Sequence, residues 1–380
     1  MSVKPIRGSG AWPGVLSAVV MMLALGAAPA GATKYAGEFM KIPVGARAVG
    51  MGGAFSAVAD DATSPYWNAA GMVYLPYKEA FLQHSEQFGS LVNHNFGGVV
   101  FPLKNGEDRR SAFGVTLTWV GINDIPITPR PGGLRPNVDF NDDGADNNPA
   151  TNDFGQSNGR WDPGERLNIT SDDLFMASSA DIAVGLSYAR QRSRHMAWGA
   201  TVKFVRQSLP DTVFGEHVTS FGAGLDASLL YMPSDAITLS AVMHDLTTTY
   251  ITWSNGTRET VSPNLVTGSA FNFAPAAGHA LTLGTDLAWD FEGRKLDSEL
   301  KLGGLNADLR LGLEYWYRNT LALRSGLNGK DLNFGAGVRY KHFGADYAAA
   351  LNRFFAKDDP DFPDDHNLEA THLLSASFSW

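Results

Sequence analysis

Ala112-Phe-Gly-Val-Thr-Leu-Thr-Trp119 alternates bulky apolar side chains with small or polar ones, without a break. Successive side chains of a β-strand point to opposite sides of the pleat. Phe113, Val115, Leu117 and Trp119 therefore share one face, and Ala112, Gly114, Thr116 and Thr118 the other. A strand with one greasy side and one small or polar side suits a wall with lipid outside and a polar interior. The same rhythm recurs at 78–86, 93–103, 176–190, 197–207, 219–232, 235–245, 263–273, 281–290, 308–317, 320–327, 332–340, 343–351 and 371–380. With 112–119 this makes fourteen stretches, and closed bacterial barrels generally use an even number of strands.

The spaces between these stretches carry a second signal. Long polar segments, 121–175, 208–218, 246–262, 291–307 and 352–370, fall only at odd-numbered connections. The even-numbered ones are tight turns around Asn105, Ser193, Pro233, Pro275, Asn319 and Lys341. A barrel with both termini in the periplasm puts its long loops at every other connection, facing the cell exterior. A soluble β-sandwich has no reason to keep that parity. The fold class expected is therefore an all-β membrane protein, an antiparallel outer-membrane barrel of about fourteen strands.

At the N-terminus, Lys4 and Arg7 lead into an uncharged stretch over 15–28, followed by Ala28-Pro-Ala-Gly-Ala32. A basic start, a short apolar run and small residues read as a secretory signal covering 1–32, too short to span a bilayer as a helix. Cleavage there takes the formal charge from −9 to −11 by removing Lys4 and Arg7, which argues against a nucleic-acid partner. The absence of cysteine excludes a lipid-attachment thioether, disulfides and thiolate metal sites. Charged residues make up 18% of the chain, against about 25% in ordinary soluble domains. The expected location is the cell outer membrane of the Gram-negative type, with membrane lipid as the first partner.

The chain closes on Leu374, Ala376, Phe378 and Trp380, alternating with serines. A last strand ending on an aromatic resembles the signal read by the barrel-assembly machinery, with Phe378 and Trp380 carrying it. Trp119, Trp198, Trp253, Trp289, Tyr315, Trp316 and Tyr317 lie near expected strand ends, where aromatic rings form interfacial girdles.

Residues 33–77 do not alternate and are expected to form an N-terminal hatch small enough to enter the barrel, whose wall then occupies 78–380 with its long extracellular loop at 121–175. Gly50, Gly52 and Gly53 permit close backbone approach and positive φ. A short helix is expected over 54–61, and a turn at Ser64 and Pro65.

This stretch also carries a resemblance. Ile42-Pro-Val-Gly-Ala-Arg-Ala-Val-Gly-Met-Gly-Gly-Ala-Phe55, Ala59-Asp-Asp-Ala62 and Trp67-Asn-Ala-Ala-Gly71 are similar to the N-terminal motif of PorV/PorQ proteins, relatives of the FadL long-chain fatty-acid transporters. Ala69 stands where the family commonly has proline. The motif positions are Pro43, Gly45, Arg47, Gly50, Gly52, Gly53, Asp60, Asp61, Asn68 and Gly71. The resemblance implies a fourteen-stranded barrel with a hatch, and either of two uses. FadL-type members pass hydrophobic molecules such as long-chain fatty acids through a lateral opening. PorV-type members handle secreted proteins with a type IX secretion system. The expected function follows the PorV/PorQ side, with secretion-system subunits or secreted cargo as partners, and hydrophobic transport is the alternative. The lumen discriminates: a continuous apolar pocket reaching a gap in the wall favours transport, and a sealed barrel with a wide exterior mouth favours cargo.

The third loop holds the one candidate cofactor, calcium at 139–165. Asp139, Asn141 and Asp143, with Gly144, match the opening of a calcium loop, and Asn158, Gly159, Asp162 and Glu165 match its closing half. Each half is incomplete, because Ala150 stands where the bidentate acid belongs and Phe154 where the first ligand belongs. A shared calcium site and a solvated acidic loop both remain open. The acidic, proline-rich 358–365 reads as an exterior loop. The nine histidines have no metal spacing, and no nucleophile elbow, phosphate loop or dinucleotide fingerprint occurs, so no catalytic residue and no enzymatic activity are expected. Gly222-Ala-Gly224 and Gly335-Ala-Gly337 read as packing positions within strands.

Overall fold

The computed structural model describes residues 37–87, 89–104, 110–128, 140–142, 148, 150, 156–157, 159–160, 165–170, 174–210, 217–291, 300–302, 305–351 and 370–380. The strands are β1 (Glu79–Gln87), β2 (Val92–Lys104), β3 (Arg110–Ile127), β4 (Phe175–Ser193), β5 (Met196–Pro210) and β6 (His217–Ser234). They continue as β7 (Ile237–His244), β8 (Thr249–Trp253), β9 (Arg258–Val261), β10 (Asn264–Ala276), β11 (His279–Asp290) and β12 (Leu300–Leu302). The last five are β13 (Leu305–Tyr317), β14 (Leu321–Asn328), β15 (Asp331–Tyr340), β16 (Phe343–Leu351) and β17 (Ala370–Ser379).

Fourteen of them form one antiparallel wall, in chain order except that β7 passes to β10 and β11 to β13. The last strand pairs with the first, from Glu79 opposite Ser379 to Glu86 opposite His372, and the barrel is closed. Each expected stretch is found as a wall strand. Strands β8 and β9 form a hairpin within the connection between β7 and β10, and the short β12 lies within that between β11 and β13.

Some boundaries differ from expectation. Strand β3 runs on to Ile127, so the third loop begins later than 121. A register shift between Ile122 and Ile125 carries the strand across Asp124, at φ 56, and this bulge hid the extension from a strict alternation. The β5–β6 and β11–β13 connections are shortened similarly, by Leu209, Pro210 and His217 and by residues 300–302 and 305–306. The signal expected over 1–32 lies outside the described residues.

The alternation has the physical meaning that the sequence suggested. Phe113, Val115 and Leu117 are exposed on the outer face, as are Leu82, Leu186, Phe204, Phe221, Leu323 and Leu374. Large apolar side chains exposed all round a wall are stable only against lipid. Two members of the expected girdle do not join it. Trp253 packs in a buried cluster with Ile251 and Val261, and Trp316 faces inward, with Arg324 and Arg339 about 5.3 and 5.4 Å from its ring.

The lumen is filled by the segment before β1. Val44, Met51, Phe55, Met72 and Val73 are fully buried there, packed among wall residues such as Phe81, Phe96 and Val100. Each such apolar side chain contributes about 1.5–3 kcal/mol by leaving water. The largest hydrophobic cluster of the described residues thus lies inside the barrel and is built mostly from the hatch.

Candidate functional site

The hatch fits because the wall makes room for it. Gly284, Gly312 and Gly326 lie directly opposite one another on β11, β13 and β14, facing inward. A Cβ at Gly284 would stand 2.5 Å from the Ala54 carbonyl oxygen, and one at Gly312 equally close to that of Met51. Gly326 meets the backbone of Met51 and Gly52, and Gly335 that of Gly50. Across the lumen, Gly199 receives Ala69 and Ala70, and Gly114 receives Pro65 and Met72.

Local structure within the hatch follows from its glycines. The helical turn is Ala46–Gly50, and it ends where Gly52 and Gly53 take φ of 64 and 73. The helix expected over 54–61 does not form. Only a turn around Phe55–Ala59 appears, because the Asp286 carboxylate accepts from the N–H groups of Phe55 (3.1 Å) and Ser56 (2.9 Å) and pins the chain to β11. Ser64 and Pro65 open a second helical turn, Ser64–Trp67, with proline in the first turn, where its missing N–H costs nothing.

The motif residues sort by what they hold. Arg47 donates from Nε and Nη2 to the two oxygens of Glu314 on β13, both at 2.8 Å, and from Nη1 to Asp60 (2.5 Å) and Asp61 (3.2 Å). Glu314 accepts in turn from Arg324 (2.7 Å), which reaches Asp346 (2.8 Å), and Asp346 accepts from Arg339 (2.7 Å). The hatch arginine thereby ends a chain of charges running through β13, β14, β16 and β15. Burial works against the Arg47 charge, but Asp60, Glu314 and Asp61 outweigh it and hold the guanidinium above its ordinary value.

The Gly45 N–H donates to Gln83 and that of Ala46 to Ser375 (2.9 Å), tying the hatch to the β1–β17 closure. Asp61 accepts from Thr63, and Asn68 bridges the Ser56 carbonyl (2.8 Å) and the Ala70 N–H (3.0 Å). Gly71 lies where a Cβ would strike the Ala59 carbonyl oxygen. All ten motif positions are thus brought together in the lumen, with Pro43 beside the pocket described next.

That pocket is a cavity of about 320 Å³ between one side of the hatch and the wall from β3 to β13. The hatch side offers Met40, Pro43, Pro65, Tyr66 and Trp67, and the wall adds Val266 and Ala288. Its polar side holds Lys203, Asp226, His244, Asp245 and Arg310. The Tyr66 hydroxyl donates to the carbonyls of Met40 (3.1 Å) and Ile42 (3.0 Å), fixing the chain that covers the pocket. Burial pushes the Tyr66 phenol up to about 12.

The wall kinks beside this cavity. Strand β6 pairs with β7 up to Ala227 opposite Met243, then with β8 from Ala223 opposite Tyr250. Between them Asp245 and Thr248 adopt φ of 53 and 62, and the Leu246 N–H donates to Leu225 (2.7 Å). Lys203 on β5 holds the kink, with Nζ 2.8 Å from both Asp226 and Asp245, while His244 lies 3.5 Å from Asp226. The lumen therefore meets neither limiting expectation: the ladder closes all round, and the pocket, half apolar and half polar, reaches the wall at its kink.

Sequence reading missed Glu314, Arg324, Asp346, Asp286 and Lys203. The available signal was a charged residue set in a run of apolar alternation, as in Leu309-Arg-Leu-Gly-Leu-Glu-Tyr-Trp316. Of the calcium residues, Asp139, Asp143, Asn158 and Asp162 lie outside the described residues. Asn141 accepts from Asn168 (3.0 Å), and Glu165 is buried. Among the described residues no three His, Asp or Glu side chains converge as a metal group. Phe378 and Trp380 stack with centroids 5.8 Å apart, and the Trp380 N–H donates to Lys78 (3.0 Å) across the closure.

The fold is similar to a crystal structure of a Pseudomonas aeruginosa FadL homologue, at a TM-score of 0.50 and 13% identity over 89% of this chain and 98% of that one. The P. putida toluene transporter TodX gives the same values. The fold is that of the FadL-type outer-membrane barrels. No family model and no curated protein sequence matches the chain. The PorV/PorQ resemblance of the hatch motif therefore finds no counterpart in these comparisons, and at this identity the likeness to FadL-type barrels is one of fold.

Proposed function

We propose that this chain is an outer-membrane barrel that admits small, largely apolar molecules from the cell exterior through the pocket beside its hatch. The observation that carries the reading is that pocket, enclosed by Met40, Tyr66, Trp67, Val266 and Ala288 on its apolar side and abutting the kink of the wall. A concave site that sets an apolar wall against fixed polar groups is a form that small-molecule sites take. Transport of a hydrophobic compound by TodX, a barrel of the same fold, supports it further. The long-loop end is then the exterior, and no catalytic step is involved.

Handling of exported proteins, as the hatch motif's resemblance to PorV/PorQ implies, is the competing use, and the long polar connections 128–174 and 352–369 are the feature that favours it. One experiment separates the two. Purified protein reconstituted in vesicles is assayed for uptake of a radiolabelled aromatic hydrocarbon and a long-chain fatty acid, beside Val266→Trp, which fills the pocket. Uptake of either compound, reduced at least about tenfold by V266W, is the expected result. No uptake above empty vesicles, together with secreted proteins recovered on the tagged barrel from outer membranes, would sink transport in favour of cargo handling.

A further inference from the structure

Three buried oxygens near the long-loop end of the lumen lack any partner among the described residues. Asp181 on β4, Gln207 on β5 and Ser220 on β6 occupy directly opposed positions and face inward. Gln207 is 8% exposed and Ser220 4%. The Asp181 Oδ1, Gln207 Oε1 and Ser220 Oγ atoms make no hydrogen bond. The Gln207 side chain lies directly beside that of Asp181, so their free oxygens share one patch of the inner face.

Their setting makes this more than a loose end. Ala183 and Val205, two residues along the same faces, belong to the cluster that seats Phe39, so the three oxygens border the apolar plug at the top of the hatch. The one other inward cation on β5, Lys203, is committed to Asp226 and Asp245. Arg206, the adjacent basic residue on β5, points to the outer face. Asp181 is half-buried, and a carboxylate with one oxygen taken out of water and no counter-ion among the described residues is costly, so it is retained where something balances it. Opposed residues on neighbouring strands stand ~5 Å apart, so a carboxylate, an amide oxygen and a hydroxyl here present hard oxygen donors side by side. Such donors are the ligands preferred by calcium, whose remaining positions are filled by water or backbone carbonyls.

We propose that Asp181, Gln207 and Ser220 form a calcium site at the exterior rim of the lumen, independent of the acidic third loop and of the transport reading. One charged and two neutral oxygens make it a weak site, suited to the millimolar divalent concentrations outside a cell.

The test is thermal unfolding of the full chain in detergent, titrated with calcium chloride against a chelator baseline, for the parent, Asp181→Asn and the loop double variant Asp139→Asn/Asp143→Asn. The expected result is a saturable rise in unfolding temperature in the parent and the loop variant, and a midpoint raised about tenfold or more in D181N. In chelator D181N should be the more stable protein, since it no longer buries an unbalanced charge, and calcium should reverse that order. A shift that D181N retains, a shift lost only in the loop variant, or no saturable shift at all would overturn the proposal. Ser220→Ala, which leaves charge and fold in place, gives the same reading at smaller amplitude if D181N fails to assemble.

Discussion

Arg47 makes the most consequential contact of the hatch, because it places one guanidinium between acids of the hatch and an acid of the wall. Its side chain is 11% exposed, that of Asp61 10% and that of Glu314 2%, so removing Arg47 leaves Glu314 with Arg324 alone and takes from buried Asp61 the cation that balances it. Arg47→Met should destabilise hatch docking by about 3–5 kcal/mol. The readout is cleavage of residues 37–77 by added protease in barrels that still migrate as folded on a gel; an uncleaved hatch would contradict the assignment. Lysine at this position should rescue only in part, since a point charge cannot reproduce the two parallel bonds to Glu314. Tyr66 gives a pH signature. Its phenol is raised from 10.0 to about 12 in the folded state, so the protonated form is the one the fold favours. The stabilisation is complete below pH 10 and is lost as pH rises towards 12. Hatch protection measured across that range should fall in the parent, and Tyr66→Phe should remove this component while costing about 1 kcal/mol at neutral pH.

At the scale of elements, the strands were legible and the hatch was not. A strand of this wall needs only local alternation, and β3, β5 and β14 show it so plainly that their positions follow from side-chain size alone. The hatch has no period, and its shape is set by distant partners: Asp286 holds Phe55 and Ser56, Glu314 holds Arg47, and Gly312 admits Met51. The expected helix over 54–61 failed because these long-range bonds outweigh a weak local preference. The glycine row makes this testable. Gly312→Val places a branched side chain where the Met51 carbonyl lies, and overpacking at an interface this tight costs about 1–3 kcal/mol or more. Barrel strands should still form by circular dichroism while the hatch becomes protease-sensitive. A hatch as protected as in the parent would mean that the close approach is not what seats it.

For the molecule as a whole, closure is the decisive property. Strand β17 reaches β1 across the full chain, and edges left open would expose a row of unpaired backbone groups to lipid, which the bilayer does not tolerate. Phe378 and Trp380 sit at this seam, Phe378 against Phe343 at 5.0 Å and Trp380 against Phe101 at 6.3 Å. Replacing both with alanine should lower the amount of folded barrel recovered from outer membranes several-fold. The purified remainder should keep its pocket and hatch, because neither ring touches them. Equal recovery would argue against a role for these rings in assembly.

What the sequence determined by itself was the wall: strand number, the parity of long and short connections, and which face of each strand meets lipid. These depend on a two-residue period and on turn chemistry, both written locally. Only the tertiary structure decided how the interior is used. The charge chain from Arg47 to Arg339, the row of inward glycines, the kink held by Lys203 and the pocket beside Trp67 each join residues from strands far apart in the chain. Inward-facing positions read only as small or polar in sequence, and their partners are chosen by barrel register and by the hatch that folds into the lumen.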